Sequence, residues 1–449
     1  MWGLAGAGAL LGLGALVWGA ARVDSPPPEA MPRKVVLIGV DGATWKVMGP
    51  MVAAGELPTF ARLQAEGASM TSFGTMESQD SPVVWTSVAT GRRPLDHGVT
   101  AYTEAVPGVG KVPITSNSRK VPALWNVASA AGRSVEVVNW WASWPAESVN
   151  GVIVSDHTNP AAAGWMAGKY FAADAAALKA RLQDTFPPEL GSSLDPYWVD
   201  PAAFPEAAFQ ARAKLSDEQL QQLRAAPFNE RTPYSWLKTF YILDDPHARL
   251  TADHLRSAPA DLTMLYLRGP DPVQHYAWNF VEPEAYAEAP PTLARDRGLV
   301  EAVYRYTDAL VGDVVNAAGP DATIVVVSDH GAEPCRGAAR GGKGRPGCHG
   351  AAAKGVLFIH GPGVERGARI EHANPLDVTP TLAWLLGLPV SEEMPGRVLS
   401  EAFEPEVAAR MPLKRVATWG PRAAASEAST ASPADGQMLE QLRGLGYIE

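Results

Sequence analysis

Apolar, β-branched runs that stop abruptly at ionisable residues set the pattern of this chain. The clearest runs from Thr323 to Ser328 and is followed by Asp329, His330 and Gly331. An unbroken stretch of Ile and Val reads as a strand buried on both faces. A carboxylate and an imidazole at its end, with a glycine to turn the chain, are costly there unless they bind something. Lys34 to Val40 repeats the pattern and ends at Asp41 and Gly42. Leu262 to Leu267 runs on to Asp271, with His275 four positions later. Ligands of open α/β sheets sit at the carboxyl ends of the strands. Three such strands therefore predict a metal-centred site along one sheet edge.

Between these strands the periodicity predicts helices over about 57–67, 122–132, 299–318 and 375–388, and further strands over 134–139 and 355–360. From about Ser155 to Leu255 the chain turns Ala-, Glu- and Gln-rich with helical spacing. Ser216 and Gln219 carry the capping-box pattern of a helix start there. The expected fold class is α/β: a mainly parallel central sheet with helices on both faces and a helical cap insertion. The expected division is a core over 34–154 and 256–420, a cap over 155–255, and a tether with a short terminal helix over 421–449.

Ahead of the core, residues 1–21 carry no charged side chain and contain six glycines, and a Pro-rich linker fills 22–33. The apolar length suits a signal peptide or a membrane anchor. Gly19, Ala20 and Ala21 offer a cleavage site. The basic residues Arg22, Arg33 and Lys34 follow the run rather than precede it, which by the positive-inside rule would place the body on the cytoplasmic side. The expectation adopted is an extracytoplasmic protein, exported or anchored through residues 1–21.

Composition narrows the partners. With 449 residues, 46% hydrophobic, and a net charge of −10, the chain lacks the basic surface that nucleic-acid binding requires. A small anionic substrate remains compatible, because bound cations reverse the local field. The two cysteines, Cys335 and Cys348, flank one Gly- and Arg-rich loop. They read either as a loop-closing disulfide or as a pair of free thiols. Of the 14 tryptophans, Trp140, Trp141 and Trp144 cluster, as core or as pocket wall.

The individual signals are weak. Asp271 and His275 are placed to share an ion if a helix follows the strand, but Asp271 alone reads as a helix cap. Asp41 with Gly42 is also an ordinary turn. His349 lies in a glycine-rich loop and alone reads as a surface histidine. Ser81 begins the helix-like run to Thr90, where a hydroxyl meets the positive end of the helix dipole; alone it reads as a Ser cap.

Taken in order, these residues resemble the alkaline phosphatase superfamily, in particular its type I phosphodiesterase/nucleotide pyrophosphatase branch. The set is Asp41-Gly42, Ser81 with Thr90-Gly91, Asp96-His97-Gly98, Asp271 with His275, Asp329-His330-Gly331 and His349-Gly350, followed by Gly361-Pro362-Gly363 and Leu376 to Leu382. The resemblance implies two divalent ions, Zn²⁺ with Mn²⁺ as the alternative. Asp41, Asp329, His330 and the nucleophile Ser81 would hold one, and Asp271, His275 and His349 the other. Thr86 and Ser87 are the alternative nucleophiles, and His97 is a structural residue. It also implies hydrolysis of a small phosphate ester, diester or monoester, through a covalent phosphoserine. The alternatives are a phosphoryl or phosphoethanolamine transferase, a phosphomutase, or a non-catalytic binding protein on the same fold. Two departures stand out. Pro82 and Trp85 break the pattern that sulfatases need for formylglycine. Ser81 and Val84 stand where nucleotide pyrophosphatases usually carry Thr and Asn.

Overall fold

The computed structural model describes residues 34–106, 110–160, 183–227, 232–339, 344–350, 353–422 and 439. The apolar segment 1–21, the linker and the expected terminal helix lie outside these residues, apart from position 439. Among the described residues, no helix is long and apolar enough to cross a membrane.

Eight strands form the central sheet: β1 Lys34–Val40, β2 Ala68–Phe73, β3 Val135–Val138, β4 Gly151–Val154, β5 Thr185–Phe186, β6 Leu262–Leu267, β7 Ala322–Val327 and β8 Gly355–His360. Their order across the sheet is β2-β8-β7-β1-β6-β3-β4-β5. The pairs β7-β1, β1-β6, β6-β3 and β3-β4 are parallel. Strand β8 runs antiparallel to both of its neighbours, and β5 runs antiparallel to β4. The expected α/β fold with a mainly parallel sheet is what the chain adopts.

Alternation along β1 explains the layers. Val35 and Leu37 enter one apolar cluster with the helices Ser81–Thr90, Leu124–Ala130 and Val378–Leu385. Val36, Ile38 and Val40 enter the other, with the helices Pro233–Ser257 and Leu299–Ala318. Successive side chains of a strand point to opposite faces, so a strand covered on both sides must be apolar throughout.

Within the 155–255 segment the described helices are Leu190–Ser193, Glu206–Ala213, Asp217–Ala225 and Pro233–Ser257. The capping box is formed: Ser216 Oγ accepts from the Gln219 N–H at 3.2 Å, and Gln219 Oε1 accepts from the Ser216 N–H at 3.0 Å. Helix Pro233–Ser257 lies against β6 and the helix Leu299–Ala318, with 18 of its residues buried. It is therefore packed as a core helix.

The register of the three middle strands positions the site. Gly39 of β1 pairs with Val327 of β7, and Val40 pairs with Leu267 of β6. Three adjacent parallel strands thus end level, and each is followed within four residues by one of the aspartates singled out above.

Candidate metal centre

Asp41 follows β1 and is almost fully buried. Its Oδ2 accepts from the Trp85 indole N–H at 3.0 Å and from the Tyr266 hydroxyl at 2.7 Å. Trp85 lies one turn beyond Ser81 on the same face of its helix. It reaches the sheet because Gly39 has no side chain: a Cβ there would stand 2.5 Å from the indole.

The other oxygen of Asp41 is left open. Asp41 Oδ1, Asp329 Oδ2 and His330 Nε2 are all buried, and none has a hydrogen-bond partner. They converge: His330 Nε2 lies 3.4 Å from Asp41 Oδ1 and 3.3 Å from Asp329 Oδ2. Orphaned buried polar atoms are rare and costly. Their spacing fits one cation, since tetrahedral bonds of about 2.0 Å to nitrogen or oxygen separate ligands by about 3.3 Å. His330 Nδ1 donates to Gly331 O at 3.0 Å, which fixes the tautomer and leaves Nε2 as the ring nitrogen able to coordinate.

A second group adjoins the first. Asp271 begins the helix Asp271–Val281, and its Oδ1 lies 3.4 Å from His275 Nε2 and 2.8 Å from His349 Nε2. His275 Nδ1 donates to Gly347 O at 2.8 Å, so Nε2 again faces the carboxylate. Ligand atoms of Asp271, His330 and His349 also fall within 4.8 Å of one another, so His330 adjoins both groups. His349 is delivered by a short ribbon, Glu333–Pro334 against Gly347–Cys348. The Cys335–Cys348 disulfide closes that ribbon, so the disulfide alternative of the sequence reading is the one realised.

The electrostatics of the cluster are those of crowded, buried carboxylates. Burial, and then the charge of Asp271, raise the pKa of Asp41. Burial, then Asp41 and Asp271, hold Asp329 well above the ordinary carboxylate range. Burial lowers His275 to about 3, which keeps its ring neutral and suited to coordination. Three carboxylates in a dry pocket repel one another unless a cation sits among them.

Ser81 stands at the start of its helix and is buried. Its backbone N–H donates to the Tyr102 hydroxyl at 3.2 Å, and that hydroxyl donates to Ser81 Oγ at 3.3 Å. Tyr102 also feels the charges of Asp41, Asp80 and Asp271, which sets the Ser81 end of the helix against the acidic cluster. The alternatives are otherwise engaged. Thr86 Oγ1 donates to Pro82 O at 2.6 Å, and Ser87 Oγ donates to Val83 O at 3.0 Å. His97 is buried, with Nε2 2.9 Å from Ser87 Oγ and Nδ1 accepting from the Val99 N–H at 3.2 Å.

Asp41, Asp271, His275, Asp329, His330 and His349 therefore come together at one sheet edge, and Ser81 begins the helix whose Trp85 donates to Asp41. Trp85, Tyr102 and Tyr266 were not singled out for it, because each reads locally as core. Trp140 is core: it is fully buried and donates to Trp85 O at 3.1 Å.

A model of the type I phosphodiesterase / nucleotide pyrophosphatase family matches residues 35–342, well over half of the chain. The chain belongs to that family. That family falls within the alkaline phosphatase superfamily, which the ordered motifs resemble. His349 lies beyond the matched residues, yet the ribbon returns it to the centre. No curated protein matches the chain. Among solved structures, an inactive murine ectonucleotide pyrophosphatase/phosphodiesterase 5 in complex with AMP is similar over 79% of this chain and 95% of its own, with TM-score 0.47 and 12% identity. A putative sulfatase from Bacteroides thetaiotaomicron is similar over 86% and 76%, with TM-score 0.48 and 13% identity. Phosphonoacetate hydrolase from Sinorhizobium meliloti, in complex with phosphonoformate, is similar over 68% and 57%, with TM-score 0.38 and 16% identity. Family and site together support a phosphoester hydrolase, with Asp/His groups that could hold a metal ion.

Proposed function

We propose that this phosphodiesterase-family protein cleaves a small phosphate ester with two divalent ions and Ser81 as nucleophile. The convergence of Asp41 Oδ1, Asp329 Oδ2 and His330 Nε2 carries the reading, since these buried atoms have no other partner. Asp41, Asp329, His330 and Ser81 would hold one ion, and Asp271, His275 and His349 the other. The nitrogen and oxygen donors suit Zn²⁺, with Mn²⁺ as the alternative. Such ions, when bound, supply Lewis acidity that acidifies a hydroxyl and offsets charge on phosphoryl oxygens.

The chain's own residues do the rest. Ser81 Oγ, presented at its helix N-terminus, attacks phosphorus in line. The Oγ–P bond forms as the bond to the leaving oxygen breaks, and water then cleaves the phosphoseryl group. The Tyr102 hydroxyl, 3.3 Å from Ser81 Oγ, orients the nucleophile. Trp85 and Tyr266 hold Asp41 in its ligating orientation. The cap segment 155–255, as expected from its composition, is proposed to bound the substrate at its helices ahead of Pro233. The disulfide supports an extracytoplasmic location.

The test is turnover of 4-nitrophenyl phosphate, bis(4-nitrophenyl) phosphate and 4-nitrophenyl sulfate by chelator-treated protein resupplied with Zn²⁺ or Mn²⁺. Metal-dependent cleavage of a phosphate ester, lost in Ser81→Ala and Asp329→Asn, is the expected result. Bound metal without phosphate release would instead favour a transferase, and absence of metal binding would remove the reading.

A further inference from the structure

Arg268 follows β6 directly, three residues ahead of Asp271, on the edge that carries the metal centre. It is only partly exposed, and its NH1 is buried with no hydrogen-bond partner. Among the described residues its guanidinium forms no ion pair. A buried charged donor left open is costly, so its environment asks for an acceptor.

The surroundings are built to hold this residue still. The Arg268 and Gly269 N–H groups donate to Asp244 Oδ1 and Oδ2 at 3.0 and 2.9 Å. These bonds fix the strand end against the helix Pro233–Ser257. One turn along that helix, on the same face, His247 is fully buried. Its Nδ1 donates to Leu243 O at 2.6 Å, and its Nε2 has no partner. His157 stacks on Trp144 with ring centroids 4.6 Å apart, and both of its ring nitrogens are buried and unpartnered. Asn159 ties the His157 loop to the same helix by donating to Ile242 O at 3.0 Å. The Arg268 charge acts on His157, His247 and Asp244 alike, so it sits among them. Burial raises Asp244 to about 7, and the neighbouring Arg268 charge draws it down. A Cβ on Gly269 would stand 2.8 Å from the backbone oxygen of Asp41, so this cluster adjoins the candidate metal centre.

We propose that Arg268, with His157 beside it, forms an anion-recognising subsite that takes a second negatively charged group on the non-reacting part of the substrate. It rests on the hydrolase reading above and narrows it, to phosphate esters that carry a further carboxylate or phosphoryl group. Arg268 is a specificity residue: it binds the substrate away from the reacting phosphorus.

The test uses two series of competitive inhibitors of 4-nitrophenyl phosphate turnover: alkylphosphonates, and the corresponding ω-carboxyalkylphosphonates with two to five carbons between the groups. In the wild-type protein, at least one carboxylated member is expected to bind about tenfold or more tighter than its plain counterpart, the scale of one charge-assisted hydrogen bond. Arg268→Gln should abolish that preference, and Arg268→Lys should keep part of it. The inhibition constants of the plain series in each variant supply the reference against which the carboxylate preference is read. A carboxylate preference absent at every length, or one that survives in Arg268→Gln, overturns the subsite. The wild-type series decides the first point even if Arg268→Gln does not fold. If plain phosphonates inhibit without any carboxylate preference, only the subsite fails. If they do not inhibit and no ester is cleaved, the hydrolase reading fails and the subsite with it.

Discussion

Trp85 donates its indole N–H to Asp41 Oδ2 at 3.0 Å, and so turns Asp41 Oδ1 towards His330 Nε2, 3.4 Å away. One oxygen of the carboxylate is satisfied by the protein and the other is kept open. Tyr266 shares the first task at 2.7 Å. Partners of this kind orient a ligand, and their removal typically weakens metal binding about 10–100-fold. Trp85→Phe and Tyr266→Phe are each expected to weaken metal affinity on that scale, as read by calorimetric titration of chelator-treated protein. Unchanged affinity in both would show that Asp41 needs no such orientation.

Tyr102 touches Ser81, the proposed nucleophile. Its hydroxyl accepts from the Ser81 N–H and donates to Ser81 Oγ. Tyr102→Phe is expected to lower kcat about 10²-fold, the scale of one lost donor in a preorganised site. Metal content should stay unchanged. Ser81→Ala should lose turnover altogether while binding metal. Steady-state kinetics with metal analysis of the same samples separates these outcomes.

The disulfide bears on His349 through chain connectivity, because Cys348 is its immediate neighbour and is paired with Cys335. A loop of that length is worth about 3 kcal/mol to the folded state. Cys335→Ser with Cys348→Ser is expected to lower the melting temperature. It should also reduce the bound metal from two ions to one, because the group of Asp271, His275 and His349 loses its fixed ribbon. Native mass spectrometry counts the ions directly.

A pH effect away from the metal centre follows from His254. Its Nδ1 lies 2.7 Å from Glu136 Oε1, and that hydrogen bond, with the Glu136 charge, raises its pKa above the ordinary 6.5. A raised pKa in the folded state means the protonated form is favoured by folding. The contribution is therefore fully present below about 6.5 and fades as pH rises through the folded value. The pair is partly exposed, so the effect is small. His254→Gln should flatten the fall of melting temperature with rising pH in this window. A parallel shift at every pH would contradict the assignment.

Much of the fold was legible because the middle strands are buried on both faces. Leu262–Leu267 and Gly355–His360 came out with the bounds read from their apolar runs, and helix Leu299–Ala318 did likewise. The direction of Gly355–His360, antiparallel to its neighbours, was not legible: local periodicity records which face a side chain takes, and not how the strand pairs. Helix Pro233–Ser257 was assigned by composition to an insertion, yet its apolar face lies on the sheet layer. At the site, Asp41, Asp271 and Asp329 were legible because charge at the end of an apolar strand is anomalous. Tyr266 was not, because a tyrosine within a strand looks like core. Arg268 drew no notice either; its significance comes from what it fails to pair with, which only the folded arrangement shows.

Ser81 is proposed as the group that accepts the phosphoryl. Acid quenching during turnover of 4-nitrophenyl phosphate with Zn²⁺, followed by peptide mapping by mass spectrometry, tests it most directly. A phosphoryl group is expected on Ser81 in the wild-type protein and none in Ser81→Ala. A phosphoryl group on Thr86 or Ser87, or turnover that continues in Ser81→Ala, would contradict it.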